Sequence, residues 1–526
     1  MKRAPLLLWV AAIVSGCTTV GPDYDRPLLP DPNVEGLFPE AEAIPSEGTG
    51  AITPAALASW WESLGDPLLT ELIQKTLAEN LDIRQAQSRV RVSRLLLGIS
   101  RSGLYPHLDG GAVYKRSRAS ESLAPSPSKA ASVQQAAGTV ALGLRVADTV
   151  SLIPANPTGA LKSIPGLVAS WPVAGSVDIE SDFYQTGFDA AWEIDIFGGT
   201  RRGVEAAKAD LEATQESLNS LWVSLAGAVA QSYIGLRTYQ ARLQVAESNL
   251  AAQEETFDLL ESLYRSGLSD ELAVQQIRYV VESTRASIPP LRSGVEAAMN
   301  ALAVLTGEMP GDLHEALGEH KPIPAAPLKV VTGIPANALR QRPDIRVAER
   351  QLAAQTARIG EAAAELYPKL VLSGSIGLES IKSSTLFDSG SDTWRLGPAI
   401  SWPIFHAGAI RKNIQVQTEL QEQYLAAYER AVLGAVEEVR NALVDYAQEQ
   451  QRSKALRAAV DAAEAALEVA QDKYKNGLSD FNNVLDAQRS LLAFREQLAI
   501  SEGVISVNLV RLYKALGGGW GPMEMP

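Results

Sequence analysis

The sequence predicts an α+β membrane protein built from two tandem copies of one unit, each pairing two strands with one long helical hairpin. Three observations carry this reading. A repeat runs through the chain at a fixed offset, some stretches alternate apolar and polar residues, and far longer stretches space apolar residues by three and four.

The repeat is read first, because missing one misassigns a whole fold. "LDIRQAQSRV…GLYP" from Leu81 to Pro106 returns as "PDIRVAERQL…ELYP" from Pro343 to Pro368, and Asp82/Asp344, Arg84/Arg346 and Tyr105/Tyr367 share one offset of 262. The seven residues "YRSGLSD" (Tyr264 to Asp270) return 210 positions later as "YKNGLSD" (Tyr474 to Asp480). The offset shrinks because the first copy carries a long insert, 119–181, rich in Ser, Ala and Pro. The expected organisation is a signal segment 1–16, an extended segment 17–66, repeat 1 over 67–310, a Pro-rich connector 311–336, repeat 2 over 337–518 and a tail 519–526.

The strands follow from period two. Tyr184, Thr186, Phe188, Ala190, Trp192, Ile194 and Ile196 fall on one face of a strand, and Gln185, Asp189, Glu193 and Asp195 on the other. Leu370, Leu372, Ile376 and Leu378 form an apolar face in the second copy, as do Trp394, Leu396, Ile400, Trp402 and Ile404. The strand from Leu108 is weaker, with Ala112 and Tyr114.

The helices follow from the longer period. From Ala207 the positions Leu211, Thr214, Leu218, Leu221 and Leu225 continue without a slip, and after one extra step of four the pattern resumes at Leu236 and runs to Tyr264. Such a shift is a stutter, which locally unwinds a supercoil. A helix of about 65 residues is roughly 100 Å long, and no compact domain needs one. The return helix runs from Ile277 to Leu305, where Pro289-Pro290 is expected to kink or split it. The second copy has a matching pair, about Arg411 to Lys473 and Asp480 to Leu516.

The start of the chain bears on location. Lys2 and Arg3 precede a short apolar run, Leu6 to Val14, and then the single cysteine, Cys17, after "VSG". That is the pattern of a secretory signal, too short to span a bilayer. Cys17 sits where a bacterial lipobox places its lipidated residue; a chance cysteine after an ordinary signal peptide is the plainer alternative. Thr18 in place of Asp favours sorting to the outer membrane. Net charge is −14 with no basic tail, which argues against a nucleic-acid partner. His107, His314, His320 and His406 are scattered, and no glycine-rich phosphate loop or metal-ligand spacing occurs, so an enzyme is not expected and no metal or cofactor beyond the lipid on Cys17.

No stretch of about 18 apolar residues follows the signal, so a membrane role requires a β-barrel. Four strands cannot close one. Two chains would give eight strands, which side chains fill, and three would give twelve, which leave a lumen. The expectation is an oligomeric duct, with a non-conducting surface stalk as the alternative.

The motifs "VGPDYDRP" (Val20 to Pro27), "WWESLGDPLLTELI" (Trp60 to Ile73), "FDAAWEIDIFGGTRR" (Phe188 to Arg202), "RPDIRVAERQL" (Arg342 to Leu352) and "GLSDFNNVLDAQRSLL" (Gly477 to Leu492) resemble those of the TolC-like outer-membrane factors, in the lipoprotein branch that includes OprM and NodT. The resemblance covers nearly the whole chain. It implies a homotrimer: a 12-stranded barrel, four strands per chain, continuous with a 12-helix periplasmic tunnel. It also implies an exit duct for drugs or solvents, working with a periplasmic adaptor and an inner-membrane transporter of the RND type. Metal-ion export and type I protein secretion are the alternatives within that reading.

The resemblance also assigns roles. Gly267, Leu268 and Ser269, with Gly477, Leu478 and Ser479, would form the periplasmic tips that dock the adaptor; the plainer reading is that each "GLSD" only reverses a hairpin. Glycine suits the position after a helix, and Ser269, Ser479 or the Asp that follows would cap the next one. Asp486 would form a carboxylate ring around the closed end, with Asn482 and Asn483 beside it, and Tyr474 would help hold the closed state. An ordinary wall position is the alternative for each. The insert 119–181 would cap the outer mouth or be a surface loop.

Overall fold

The computed structural model describes residues 19–27, 57–118, 180–324 and 340–520. Cys17, the signal segment and nearly all of the 119–181 insert lie outside them. The chain forms two compact units: one holds all the long helices, and the other comprises Tyr105–Ile194 and Leu370–Ile400.

The second unit is a four-stranded sheet: β1 (His107–Arg118), β2 (Glu180–Ile194), β3 (Lys369–Ser380) and β4 (Asp392–Ser401), in the order β1-β2-β3-β4. β1 pairs antiparallel with β2, and β2 with β3. The register aligns Tyr114 with Tyr184, Leu108 with Ala190 and Phe188 with Ile376. Pleating therefore gathers Leu108, Tyr114, Phe188, Ile376, Trp394, Leu396 and Ile400 on one exposed face. On the other face Gln185 and Arg395 hydrogen-bond Glu379. Trp402 and Ile404, expected to extend β4, lie past its end, as Ile196 lies past the end of β2.

In the helical unit, α1 (Pro67–Glu79) and α2 (Leu81–Ser102) precede the sheet. After β2 come α3 (Gly199–Arg265), α4 (Glu271–Thr306), the short α5 (His314–Leu317) and α6 (Pro343–Ala364). After β4 come α7 (Ala409–Lys475) and α8 (Phe481–Ala515). α3 and α7 each run 67 residues, and α3 continues as one helix through the stutter in its heptad pattern. They start alike, with Gly198 (φ +83°) and Gly408 (φ +82°) as left-handed caps.

Two expectations need correction. The tract 17–66 is not extended throughout: Trp60–Leu64 is a 3-10 turn, and Trp60, Trp61 and Leu64 are buried. Trp60 stacks on Tyr513 of α8 at 5.4 Å, so this end of the tract belongs to the core. Nor does Pro289-Pro290 split α4, which is continuous from Glu271 to Thr306. Both prolines and the exposed turn before them face solvent, where the carbonyls they orphan can reach water. Ile288 and Leu291 are buried on either side and hold the helix in line.

α2 packs on α3, α3 on α6, and α6 on α7, while the hairpins pair α3 with α4 and α7 with α8, and α8 lies against α3. The largest core surrounds Tyr233, Ile234, Tyr446 and Leu509 midway along the long helices. There Tyr233 Oη donates to Asp66 Oδ2 (2.7 Å), and Arg237, fully buried, donates to the Glu319 carbonyl (2.6 Å) and to Tyr233 Oη (2.9 Å). Burial, and then the Asp66 carboxylate, push the Tyr233 phenol up to about 12. No described helix is long and apolar enough to cross a membrane.

Candidate functional site: the hairpin tips and the segment beside them

The two "GLSD" turns have the same backbone. Gly267 (φ +73°) and Gly477 (φ +70°) occupy the left-handed region, where a side chain would be strained. Leu268 N bonds back to Leu263 O and Leu478 N to Lys473 O, both at 2.8 Å, with Gly267 N to Tyr264 O and Gly477 N to Tyr474 O at 2.9 Å. These are the paired bonds of a Schellman ending. Capping differs between the copies. Asp270 Oδ1 accepts from Ala273 N (2.8 Å), whereas Asp480 makes no side-chain cap. There Asn483 Nδ2 donates to Ser479 Oγ (2.6 Å) instead, and Ser269 caps nothing. The structure thus turns Asn483 back to the turn, while Leu268 and Leu478 are left largely exposed at the apices.

Behind the tips lies a cluster shared by both hairpins: Leu260, Ile277, Val281, Phe481, Val484 and Leu485, with Tyr474 packed on it. The Tyr474 ring sits 5.2 Å from that of Phe481. Asn482 and Asp486 are exposed, one helical turn apart on α8. Arg489, three residues past Asp486, comes within 3.6 Å of its carboxylate. Arg489 also donates to Tyr279 Oη of α4 and lies 5.0 Å over that ring. Neither Arg489 nor Tyr279 stands out in the sequence. The i, i+3 spacing in "LDAQR" is the available signal for the first, but nothing in the sequence places Tyr279 opposite.

In the same stretch of the hairpins, Gln253 of α3 is buried with neither side-chain polar atom hydrogen-bonded, and the Oε1 of buried Gln488 of α8 has no partner. In the three-four spacing of α3, Gln253 falls on the apolar seam between Leu250 and Phe257.

The segment that follows Cys17 is strapped to the start of α3 and to α6. Val20 N bonds Phe197 O (3.1 Å), and buried Arg202 donates to the Val20 and Gly21 carbonyls and to Asp23 (2.7 Å). Gly21 (φ +97°) crosses Gly360 so closely that a Cβ on Gly21 would lie 2.3 Å from the Gly360 Cα. Arg26 pairs with buried Glu349 at 2.6 Å. Burial, and then Glu349, push the Tyr24 phenol up to about 12. Among the described residues no group of three or more His, Cys, Asp or Glu is placed to hold a metal.

A duplicated strand pair whose sheet has an apolar exposed face, joined in sequence to hairpins that each pair a 67-residue helix with a shorter one, defines a protomer of an outer-membrane channel. The family model described as outer membrane efflux protein matches residues 166–308 and 334–518, more than half the chain, and the protein belongs to that family. It is 32% identical to the solvent efflux pump outer membrane protein SrpC of Pseudomonas putida, over 99% of both chains. It is 29% identical to the cation efflux system protein CusC of Escherichia coli O6:H1, over 97% of this chain and 97% of CusC. Among solved structures, the outer-membrane channel OprN superposes with a TM-score of 0.77 at 31% identity, covering 96% of this chain and 100% of OprN. The protein is therefore an outer-membrane efflux channel component, a conduit and not an enzyme.

Proposed function

We propose that the protein is the exit duct of a tripartite efflux system, passing small molecules such as drugs or solvents from a periplasmic adaptor and an RND-type transporter to the outside. The observation that carries this is the four-stranded sheet: among the described residues β1 and β4 each have one edge unpaired, and a spanning sheet must close. A homotrimer closes it with twelve strands, enough for a lumen, and three pairs of long hairpins then supply a twelve-helix tunnel. The exposed Leu268 and Leu478 suit docking to an adaptor, and lipid on Cys17 anchors the N-terminus beside the strap at Val20–Arg26. The small-molecule cargo rests on the likeness to SrpC.

The cargo is tested in a deletion strain, by tolerance to toluene and hydrophobic drugs. Restoration by the intact gene supports this reading. Restored tolerance to copper or silver alone would favour the second reading, cation export, which rests on the likeness to CusC. Mass spectrometry of the mature N-terminus tests the lipid.

A further inference from the structure

Within one chain α8 lies along α3, and three contacts fix their antiparallel register. A Cβ on Gly227 would meet the Lys514 side chain, a Cβ on Gly503 would strike Thr238 Oγ1, and Arg242 pairs with Glu496 at 2.5 Å. Continued toward the tips, that register sets Gln253 opposite Gln488 and Leu260 opposite Phe481. Leu260 and Phe481 do share one buried cluster. Gln253 precedes Leu260 by seven residues and Gln488 follows Phe481 by seven, about two helical turns, so both amides lie on the facing sides.

These side chains are 1% and 5% exposed. Among the described residues Gln253 Nε2 and Oε1, Gln488 Oε1 and, one turn further along α3, Asn249 Nδ2 are buried with no hydrogen-bond partner. The repeat does not require amides here. At the offset of 210 the counterpart of Gln253 is Ala463, buried with Val460 and Leu491, and that of Gln488 is Arg278, which is exposed. The polar layer therefore belongs to the α3–α8 seam alone and not to the hairpin design.

The seam differs on the two sides of this layer. Away from the tips it is close-packed at Gly503 and Gly227 and merges into the large core around Tyr233 and Leu509. Toward the tips only the small cluster of Leu260, Phe481, Val484 and Leu485 and the Arg489–Tyr279 bond tie α8 to the first hairpin. Parting α8 from α3 as far as the layer exposes that small cluster but gives four unsatisfied polar atoms their water. Parting it further would break close packing with no such return. α8 keeps its own partner throughout, since Arg495–Glu464 (2.5 Å) and Arg457–Glu502 (2.9 Å) hold it to α7.

We propose that the Gln253–Gln488 layer is the joint of the closed end: the α7–α8 hairpin parts from α3 between the tips and this layer, and hydration of the buried amides stabilises the parted state. This rests on the duct reading and adds where the tube comes apart and what favours its opening.

The test is Gln253→Leu/Gln488→Leu in the full-length protein, recorded in planar bilayers. The open fraction should fall about tenfold, the effect of no longer rewarding exposure of one or more such polar atoms, while the current through an open channel stays the same. Gln253→Glu, whose carboxylate gains more from water, should open more often. Hydrogen exchange should slow over residues 481–492 in the double leucine variant and stay unchanged over 505–515. A double leucine variant that opens as often as the native protein, or slows exchange equally in both segments, overturns the joint and leaves the duct reading standing. A native protein that never conducts overturns the duct reading itself.

Discussion

Arg489 and Asp486 stand 3.6 Å apart, guanidinium to carboxylate, on adjacent turns of α8, and the same guanidinium bonds Tyr279 of the neighbouring hairpin. The carboxylate proposed to filter ions at the closed end is thus tied to the residue that joins the two hairpins. Arg489→Ala and Tyr279→Phe should both raise the open fraction in planar-bilayer recordings. Exposed pairs of this kind are worth about 1 kcal/mol or less, so the change should be at most about fivefold. Asp486→Ala should also lower cation preference; unchanged current and selectivity would remove it from the gate.

The unpartnered amide of Gln253 and the unpartnered Oε1 of Gln488 are a cost carried by the hairpin interior. Replacing Gln253 by Leu removes two unsatisfied polar atoms at similar volume. It should stabilise the hairpins by on the order of 1–3 kcal/mol, seen as a higher thermal midpoint of the helical circular dichroism. A lower midpoint would mean that the amide finds water or a partner in solution.

At the tips, conformation and recognition can be separated. Gly267→Ala and Gly477→Ala force a Cβ into the left-handed region and should each destabilise their turn by roughly 1–2 kcal/mol. Leu268→Ser and Leu478→Ser touch no core and should leave the thermal midpoint unchanged. If the apices dock the adaptor, the serine pair will abolish cross-linking to it and reduce solvent tolerance; retained cross-linking would reduce the turns to plain reversals.

His314 supplies a pH dependence. Its Nε2 is 2.6 Å from Glu296 and its Nδ1 2.8 Å from the Gly311 carbonyl, so both ring nitrogens face acceptors. The Glu296 bond first, and the carbonyl second, raise its pKa above the ordinary 6.5. A raised folded-state pKa contributes stability below about pH 6.5, lost as pH rises through the folded value. Hydrogen exchange over residues 307–320 should therefore be slower at about pH 6 than at about pH 8 after correction for intrinsic rates. His314→Gln should flatten that difference.

Much of the fold is legible in the sequence because it rests on local periodicity. Alternation in "FYQTGFDAAWEI" marks β2, and a three-four spacing with one stutter marks α3, whose length the second copy matches in α7. Gly267 and Gly477 are readable because only glycine takes that backbone conformation cheaply. The burial of Trp60 and Trp61 is not readable, because it depends on Tyr513, hundreds of residues away in sequence. Pro289-Pro290 reads as a break in α4 because local rules do not register the packing of Ile288 and Leu291 that holds it.

The sequence by itself determined the duplication, the strand faces, the hairpin lengths and the tips, since each is written in the order and spacing of neighbouring residues. Only the tertiary structure decided that Arg489 reaches Tyr279, that Arg202 and Glu349 clamp the segment after Cys17, and that one face of α2 is left uncovered by the described residues. Those facts depend on which helix lies beside which, and that is set by side-chain packing between segments hundreds of residues apart.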